Sequence, residues 1–302
     1  MDHVERTLPH PLADASSSTS RFDWPVLAIL VVVHLAAMSA FLVAPTAPAL
    51  ALLIGGFFLA GFGIVIGYHR FLSHRAFECG IWQTRVWATL GTLALQGGPV
   101  FWAGLHRRHH QFSDQEGDPH SPRNSLLEGH MLWMARVETK GGAILGALNA
   151  RDLRAIGKDP YMRWLDRGIG PLMPWAVSMV ICGLVAGLPG VVWGGFVRTL
   201  CGWHATWLVN SVGHRWGRRP HPTNDSSRNV WWLSPIAFGD QWHNNHHANP
   251  RAAVLTEKWW QFDPSGWIIL ALGKLGLARN IRRPTNRYAE RAAAGARSEI
   301  HD

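Results

Sequence analysis

Four apolar runs with almost no charge, arranged as two pairs, constrain this 302-residue sequence more than any other feature. The first pair covers residues 25–43 and 49–67, and the second covers residues 171–188 and 191–210. Each run has about the 20 residues that a helix needs to cross the hydrocarbon core of a bilayer. The linkers are very short, and residues 189–190 (Pro-Gly) form a turn in the second pair. The sequence therefore predicts an all-α integral membrane protein with four transmembrane helices in two hairpins.

Charge supports this interpretation and predicts an orientation. The chain is 47% hydrophobic and 16% charged, whereas soluble domains average about 25% charged. Its net charge of +9 suits an anionic membrane surface or an acidic partner, and no nucleic-acid-binding motif is present. Of its 29 lysines and arginines, 2 precede the first run, 13 separate the pairs and 13 follow the last run. The positive-inside rule then predicts a multi-pass protein with both termini and the long middle region in the cytoplasm.

Histidine is frequent, with 17 residues, and three clusters stand out: HRFLSH from His69, HRRHH from His106 and HNNHH from His243. A further histidine, His214, follows the fourth run. In each H-x-x-H-H motif, positions i, i+3 and i+4 share one helix face, so their rings can converge. His69 and His74 lie five residues apart, about 140° around an α-helix. They can reach two metal ions, or one ion if the helix ends between them.

The clusters predict a metal centre. Together with His214 they supply nine imidazoles: His69, His74, His106, His109, His110, His214, His243, His246 and His247. A zinc site takes three or four protein ligands, so nine suit two ions of higher coordination number. Imidazole binds zinc, copper, iron and nickel, and ligand softness does not choose among them. Asp114, Asp118 and Asp240 are predicted to accept hydrogen bonds from the imidazole N–H groups, with His120 also beside the ligands.

A shared metal centre requires all three clusters to lie on one side of the membrane. The only apolar segment between the first two clusters is residues 86–105, which contains Gln96, Gly97, Gly98 and Pro99. We therefore expect this segment not to span the membrane. Two spans separate the second cluster from the third and return the chain to the same side, so a four-span arrangement places every cluster at the cytoplasmic face.

The sequence around the histidines resembles the membrane fatty acid desaturase family, near its Δ9 acyl-CoA and bacterial acyl-lipid branch. The matching segments, between about residues 50 and 283, are GYHRFLSHRAFE, GLHRRHHQFSDQEGDPHSP, HMLWM, NSVGHRWG, WHNNHHANP, WWQFDPSGW and LGLARNI. The resemblance implies that the nine histidines bind two irons and that Asn210 binds one iron through water. It implies four transmembrane helices under a cytoplasmic helical cap, with a kinked apolar tunnel for an acyl chain. One departure is Asp240, where related sequences commonly carry glutamate.

The implied reaction uses O2 and two electrons to insert a cis double bond, with Δ9 the expected position, into a saturated acyl chain of a CoA thioester or a membrane lipid. No cytochrome b5 module is recognisable, so the resemblance implies a separate electron donor such as ferredoxin or cytochrome b5. Arg75, Arg107 and Arg108 are candidates for attracting an anionic head group or CoA phosphates, although the positive-inside rule also accounts for them.

Two other functions remain open on the sequence alone. A related di-iron hydroxylase or ketolase acting on a lipid or hydrocarbon would share the histidine clusters. A histidine-rich metal transporter would place its ligands near the bilayer midplane, often within inverted repeats, and no repeat is visible here. The predicted domain boundaries are a disordered tail at 1–22, the membrane domain at 23–283 and a C-terminal tail at 284–302.

Overall fold

The computed structural model describes residues 21–123 and 125–285. Within these ranges the chain is helical, with isolated β-bridges and no strand, as predicted. The α-helices are α1 Trp24–Met38, α2 Ala47–Phe62, α3 Ile81–Thr92, α4 Pro99–Phe112, α5 Leu126–His130, α6 Val137–Leu148, α7 Arg151–Ile156, α8 Pro160–Asp166, α9 Met173–Pro189, α10 Arg198–Gly213, α11 His243–Ala248 and α12 Pro264–Lys274. Two π-helical segments, Gly63–Ser73 and Gly190–Val197, extend α2 and lead into α10.

Three helices in the described part of the chain are long and apolar enough to cross a membrane: Trp24–Phe41, Ala47–Ser73 and Gly170–Gly213. The first two correspond to the first predicted hairpin. The third contains both runs of the second predicted pair within one continuous helical stretch. These helices make the chain a membrane protein by length and composition.

The stretch Gly170–Gly213 folds back on itself at Gly187, where φ is +59°. The indole N–H of Trp175 donates to Thr199 Oγ1 over 2.8 Å, and Arg198 Nη2 donates to Ser178 Oγ over 2.9 Å. The residue later in α9 pairs with the residue earlier in the returning helix. The two helices α9 and α10 therefore run antiparallel and form a hairpin.

The reversal lies slightly earlier than the turn predicted at residues 189–190. A backbone with positive φ favours glycine, and Gly187 provides it. Pro189 instead has helical backbone angles and begins the returning helix. A proline is well tolerated there because the missing N–H would have had no helical acceptor.

Side-chain caps fix the beginnings of the first two helices. Asp23 accepts a hydrogen bond from the backbone N–H of Val26 at the start of α1. Thr46 accepts one from Ala49 at the start of α2. Each cap satisfies an N–H that has no partner within its own helix. The second helix then continues through the predicted end of its span at residue 67 to Ser73.

Close backbone contacts fix the helices that carry the histidines. A Cβ atom added at Gly63 would lie 2.2 Å from the carbonyl carbon of Leu90, so the extension of α2 crosses α3 backbone to backbone. A Cβ atom at Gly146 would lie 2.1 Å from the carbonyl oxygen of Gly104, so α4 crosses α6 in the same way. The apolar segment 86–105 is divided between α3 and α4 and contains no helix long and apolar enough to cross a membrane, which is consistent with the prediction.

The predicted tails lie largely outside the described residues, namely 1–20 and 286–302. At the N-terminal boundary, Phe22 forms an antiparallel bridge with Arg136. The domain boundaries themselves stay predictions.

Candidate metal centre

The first histidine cluster lies on the π-helical extension of α2. The backbone N–H of His74 donates to the carbonyl of His69 over 3.1 Å, a bond between residues five apart. Ser73 Oγ donates to the carbonyl of Tyr68 over 2.7 Å across the same spacing. This winding places the rings of His69 and His74 on one side, with their centroids 4.9 Å apart. The 140° separation expected for an α-helix is therefore absent, and π-helical turns are frequent at functional sites.

The other histidines come from three further helices. The second cluster lies in the C-terminal half of α4, and the third cluster forms most of the short helix α11. His214 is the C-terminal cap of α10. The nine histidines predicted from the sequence converge in two adjacent groups, and the rings of His110 and His247, one from each group, stack with centroids 4.4 Å apart.

The larger group contains five histidines: His69, His74, His106, His110 and His246. One nitrogen from each lies within 4.8 Å of those from the other four. His106 Nε2 lies 2.8 Å from His74 Nε2 and 3.0 Å from His110 Nε2. His246 Nε2 lies 2.9 Å from His110 Nε2 and 3.0 Å from His69 Nε2. The five Nε2 atoms thus face one common point.

The smaller group contains four buried histidines: His109, His214, His243 and His247. The Nε2 atoms of His214 and His243 lie 2.9 Å apart. The Nε2 atoms of His109 and His247 are buried and have no hydrogen-bond partner among the described residues. Buried polar atoms are nearly always paired in native proteins, so these two nitrogens indicate a ligand.

The spacing of the nitrogens fits metal ions of five or six coordination. Ligand nitrogens about 2.1 Å from a metal and separated by 90° would lie about 3.0 Å apart, while a tetrahedral arrangement would hold them about 3.4 Å apart. The closest Nε2 pairs in both groups lie 2.8–3.0 Å apart. Lone pairs of neutral imidazoles at that distance repel unless a proton or cation lies between them. The donor set therefore fits two cations better than tetrahedral zinc.

Burial and the nearby imidazoles hold the pKa of His106, His110 and His246 well below their usual value. The same causes lower the pKa of His243. These rings are therefore neutral at neutral pH, which is the form that binds metals. For His109 burial also acts to lower the pKa, but the carboxylate of Asp118 outweighs it and the pKa is raised.

Carboxylates lie beside the outer nitrogens of the rings. Asp118 Oδ1 lies 2.9 Å from His109 Nδ1, and Asp114 Oδ2 lies 2.8 Å from His214 Nδ1. Asp240 Oδ2 lies 2.8 Å from His69 Nδ1. A carboxylate at Nδ1 fixes the tautomer and aims Nε2 at the metal.

A fourth carboxylate, Asp225, was not among the residues predicted from the sequence. Its Oδ2 lies 2.7 Å from His247 Nδ1. It belongs to the irregular segment between α10 and α11, where neither a helical period nor a motif marks it. Burial acts to raise the pKa of Asp225, but the opposite effect of its hydrogen bonds with His247 and Ser227 is larger. The pKa is therefore lowered, and the carboxylate is ionised.

Arg70 supports the carboxylate of Asp240 from behind. Its guanidinium is almost fully buried and donates to Asp240 Oδ1 over 3.2 Å and to Asp263 Oδ2 over 2.8 Å. Asp263 in turn caps the start of α12 through the N–H of Gly266. The shorter side chain of Asp240, noted as a departure in the sequence, therefore still lies beside both His69 and Arg70.

A narrow apolar cavity of about 60 Å³ reaches the histidines from between the membrane helices. Its lining includes Phe57, Ala60, Gly61, Gly202 and Ala205 on α2 and α10, and His69, His106 and His243 at the other end. Asn210 and His120 also line it. The ring of His120 stacks on that of His109, with centroids 4.2 Å apart.

A polar bridge forms part of the wall of this cavity. Gln96, almost fully buried, donates to Thr206 Oγ1 over 3.1 Å and accepts from the indole N–H of Trp102 over 3.4 Å. These bonds join the segment between α3 and α4 to α10. They hold the cavity wall in one conformation, because a buried amide without partners would be costly.

The three arginines predicted as head-group contacts have different surroundings. Arg107 donates to both oxygens of Asp152 and to the carbonyls of Leu72 and Ser73, where the π-helix ends. Arg75, about half exposed, lies 3.3 Å from the same Asp152 carboxylate. The guanidinium of Arg108 lies over the ring of Phe112. Arg107 thus joins α4, α7 and the end of the π-helix, and the head-group role of the three arginines stays a prediction.

Comparison with known proteins agrees with this geometry. The profile of the fatty acid desaturase family matches residues 44–264. The chain is 40% identical to the "Delta-9 desaturase-like 4 protein" of Arabidopsis thaliana over 78% of this chain and 77% of that protein. It is 36% identical to the "sn-2 palmitoyl-lipid 9-desaturase" of Nostoc over 86% of this chain and 82% of that protein. It is 40% identical to the "Acyl-CoA C20 Delta5-desaturase" of Anemone leveillei over 74% of this chain and 70% of that protein.

The fold and the paired histidine groups define a membrane protein with a candidate metal centre. The chain belongs to the fatty acid desaturase family. It is an oxidoreductase that desaturates fatty-acyl chains, which confirms the activity predicted from the histidine motifs.

Proposed function

We propose that this enzyme inserts a cis double bond at Δ9 into the acyl chain of a membrane lipid. The overall reaction converts –CH2–CH2–, O2, two electrons and two protons into –CH=CH– and two molecules of water. The observation that carries the proposal is the narrow apolar cavity that begins between the membrane helices and ends against both histidine groups. The name of the Nostoc relative supports the lipid carrier and the Δ9 position, and the name of the Arabidopsis relative supports the Δ9 position.

In this proposal the larger histidine group holds one iron and the smaller group holds the other, with Asn210 contributing through water. When bound, the two irons supply the oxidising chemistry that removes hydrogen from an unactivated chain with O2. Asp114, Asp118, Asp225 and Asp240 fix the tautomers of four of the nine imidazoles by accepting from Nδ1. A fixed ring orientation holds the geometry of the metal centre through the reaction.

The cavity residues position the substrate. The lining is mainly apolar, which suits an acyl chain and excludes water from it. The bridge from Gln96 to Thr206 fixes the wall that the chain passes. Regioselectivity follows, because the depth to which a chain enters sets which methylenes lie beside the histidines.

The membrane arrangement in this proposal has four spans, with α1, α2 and the two arms of the stretch Gly170–Gly213 each crossing once. The antiparallel contacts between Trp175 and Thr199 support two crossings by that stretch. The distribution of lysine and arginine supports cytoplasmic termini and a cytoplasmic metal centre within a domain at 23–283. The net charge of +9 suits an acidic electron donor such as ferredoxin or cytochrome b5.

The test is the fatty-acid profile of a desaturase-deficient host that supplies an electron donor and expresses the chain. Double-bond mapping is expected to show a cis Δ9 mono-unsaturated acid esterified to membrane lipid. The same acid should be absent with His109→Ala and present with His221→Ala, since His221 lies outside both histidine groups. A hydroxy or oxo acid in place of the unsaturated acid would contradict the proposal and support a related oxygenase.

A further inference from the structure

A second, larger cavity lies on the other side of α2 from the histidines. It is a groove of about 560 Å³, open on one side, between α2, α3, α8 and α9. Most of its lining is apolar, including Ala51, Leu52, Ile181 and Val177. A volume of this size is ordinary for a small-molecule site. The catalytic reaction described above uses none of these residues.

One charged side chain lines this groove. Arg198 belongs to α10 and is only 4% exposed. Its guanidinium remains protonated in proteins. Within residues 21–123 and 125–285 no carboxylate forms an ion pair with it. A buried cation without a counter-charge is costly in a membrane, and such residues mark functional sites.

The hydrogen bonds of Arg198 leave donors free. Nη2 donates to the hydroxyl oxygen of Ser178 over 2.9 Å, and that hydroxyl donates its own proton to the carbonyl of Trp175. The Nε–H of Arg198 is buried and has no partner in the described part of the chain. A guanidinium with one neutral partner and an unpaired N–H is a site for an oxyanion, which it can bind through two parallel hydrogen bonds.

Small residues on α2 provide the space. A Cβ atom added at Gly56 would lie 2.5 Å from Cδ of Arg198, so the arginine packs directly on the glycine backbone. A Cβ atom added at Gly55 would meet nothing within 4 Å. The surface of α2 beside Arg198 is therefore open to an occupant.

Depth selects the kind of oxyanion. Ser178 lies five residues into α9 and Arg198 lies 11 residues after Gly187. At 1.5 Å per residue of α-helix, Ser178 is about 8 Å from the start of α9, and the π-helical segment Gly190–Val197 separates Arg198 from the reversal. A phosphodiester there would bury its polar glycerol among apolar side chains. A carboxylate at the end of a single acyl chain adds no further polar group.

We propose that this groove binds a long-chain fatty acid, with its carboxylate on Arg198 and its chain against the apolar lining. This fatty acid would bind apart from the narrow apolar cavity that reaches the histidines, because α2 lies between the two sites. The site depends neither on the metal centre nor on the proposed double-bond position.

The test is direct binding of radiolabelled palmitate to the purified full chain in detergent. Arg198→Met keeps an unbranched, flexible side chain but removes the charge and the guanidinium donors. Arg163→Met is the control, because Arg163 is an exposed arginine on α8. We expect binding about 10- to 100-fold weaker with Arg198→Met and unchanged binding with Arg163→Met. Any palmitate in the catalytic cavity is common to all variants and cancels in the comparison.

A second variant, Gly55→Leu, keeps Arg198 and fills the open space, and it should also lose the site. If Arg198→Met does not fold, palmitate binding by Gly55→Leu tests the proposal instead. Methyl palmitate, which lacks the charge, should not compete with palmitate at this site. Equal palmitate binding by wild type and Gly55→Leu, or displacement by methyl palmitate of the part of the palmitate binding that Gly55→Leu loses, would overturn the proposal. Competition by phosphatidylglycerol in place of palmitate would assign the groove to a phospholipid and overturn it as well.

Discussion

The rings of His69 and His74 lie with their centroids 4.9 Å apart because a π-helix, not an α-helix, joins the two residues. The hydrogen bond from the His74 N–H to the His69 carbonyl closes a turn of five residues. A π-helix has hydrogen bonds between residues five apart, one more than in an α-helix. Positions i and i+5 therefore lie on nearly the same side of the helix. The spacing of the first histidine motif therefore suits one group of ligands, provided that this winding is kept.

Backbone packing against α3 should maintain that winding. Gly63→Ala would place a methyl group 2.2 Å from the Leu90 backbone, so the helices would have to separate. We expect a loss of about 3 kcal/mol in stability and a lower iron content, measured as apparent Tm and metal per chain. Gly141→Ala is the control, since its methyl group meets nothing within 4 Å. That change should be neutral or stabilise the protein by about 0.5–1 kcal/mol. Equal effects of the two substitutions would contradict the packing argument.

Asp225 should tune the affinity of the smaller histidine group. Asp225→Asn removes the carboxylate charge beside His247 Nδ1 and allows the wrong tautomer. We expect iron affinity to fall by about 10- to 100-fold, measured by competition with a chelator. Glu116→Gln, which neutralises an exposed carboxylate on the loop after α4, should leave the affinity unchanged. Unchanged affinity in Asp225→Asn would show that His247 does not depend on this contact.

Asp152 should make stability depend on pH. Burial acts to raise the pKa of Asp152, but its bonds with Arg107 and the charges of Arg107 and Arg75 lower it to about 2. Because the folded pKa lies below the unfolded value of about 3.9, the carboxylate stabilises the fold above pH 4, and the effect fades as pH falls toward 2. The difference in apparent Tm between wild type and Asp152→Asn should be equal at pH 7 and pH 5 and smaller at pH 3.5. A difference that grows on acidification would contradict this sign.

The length of acyl chain that the enzyme accepts should depend on the end of the narrow apolar cavity that lies away from the histidines. Gly202 lines it 12 residues before His214, about 18 Å along α10, and a Cβ atom there meets open space. Gly202→Leu is expected to reduce the C18 product roughly tenfold relative to shorter products, measured from the fatty-acid profile. Gly141→Leu, on the exposed side of α6, should leave the profile unchanged. An unchanged C18 fraction in Gly202→Leu would show that the acyl chain does not pass Gly202.

The sequence predicts much of this molecule because its two strongest signals are local. Apolar runs of about 20 residues mark helices that enter a membrane, and H-x-x-H-H motifs place three rings on one helix face. The π-helix at residues 63–73 was not predictable from these periods, since it depends on glycines that allow α2 to approach α3. Asp225 was missed for a related reason: an irregular segment brings it to His247, and no sequence period marks such a contact.

The exact position of the turn between α9 and α10 also could not be predicted from the sequence. Pro189 and Gly190 form a dipeptide typical of turns, yet the reversal lies at Gly187. All three residues are compatible with a turn region, and packing of α9 on α10 selects among them. Arg107 is a further case: its charge suggested a head-group contact, and the folded chain surrounds it with Asp152 and the end of the π-helix.

The most direct test of the account is the iron content of purified protein, measured beside one variant from each histidine group. Wild type is expected to hold two irons per chain, and His74→Ala and His247→Ala are each expected to hold about one. His221→Ala should hold two, since that histidine belongs to neither group. One iron in wild type, zinc in place of iron, or the loss of both irons in either variant would contradict a centre built from five histidines at one metal and four at the other.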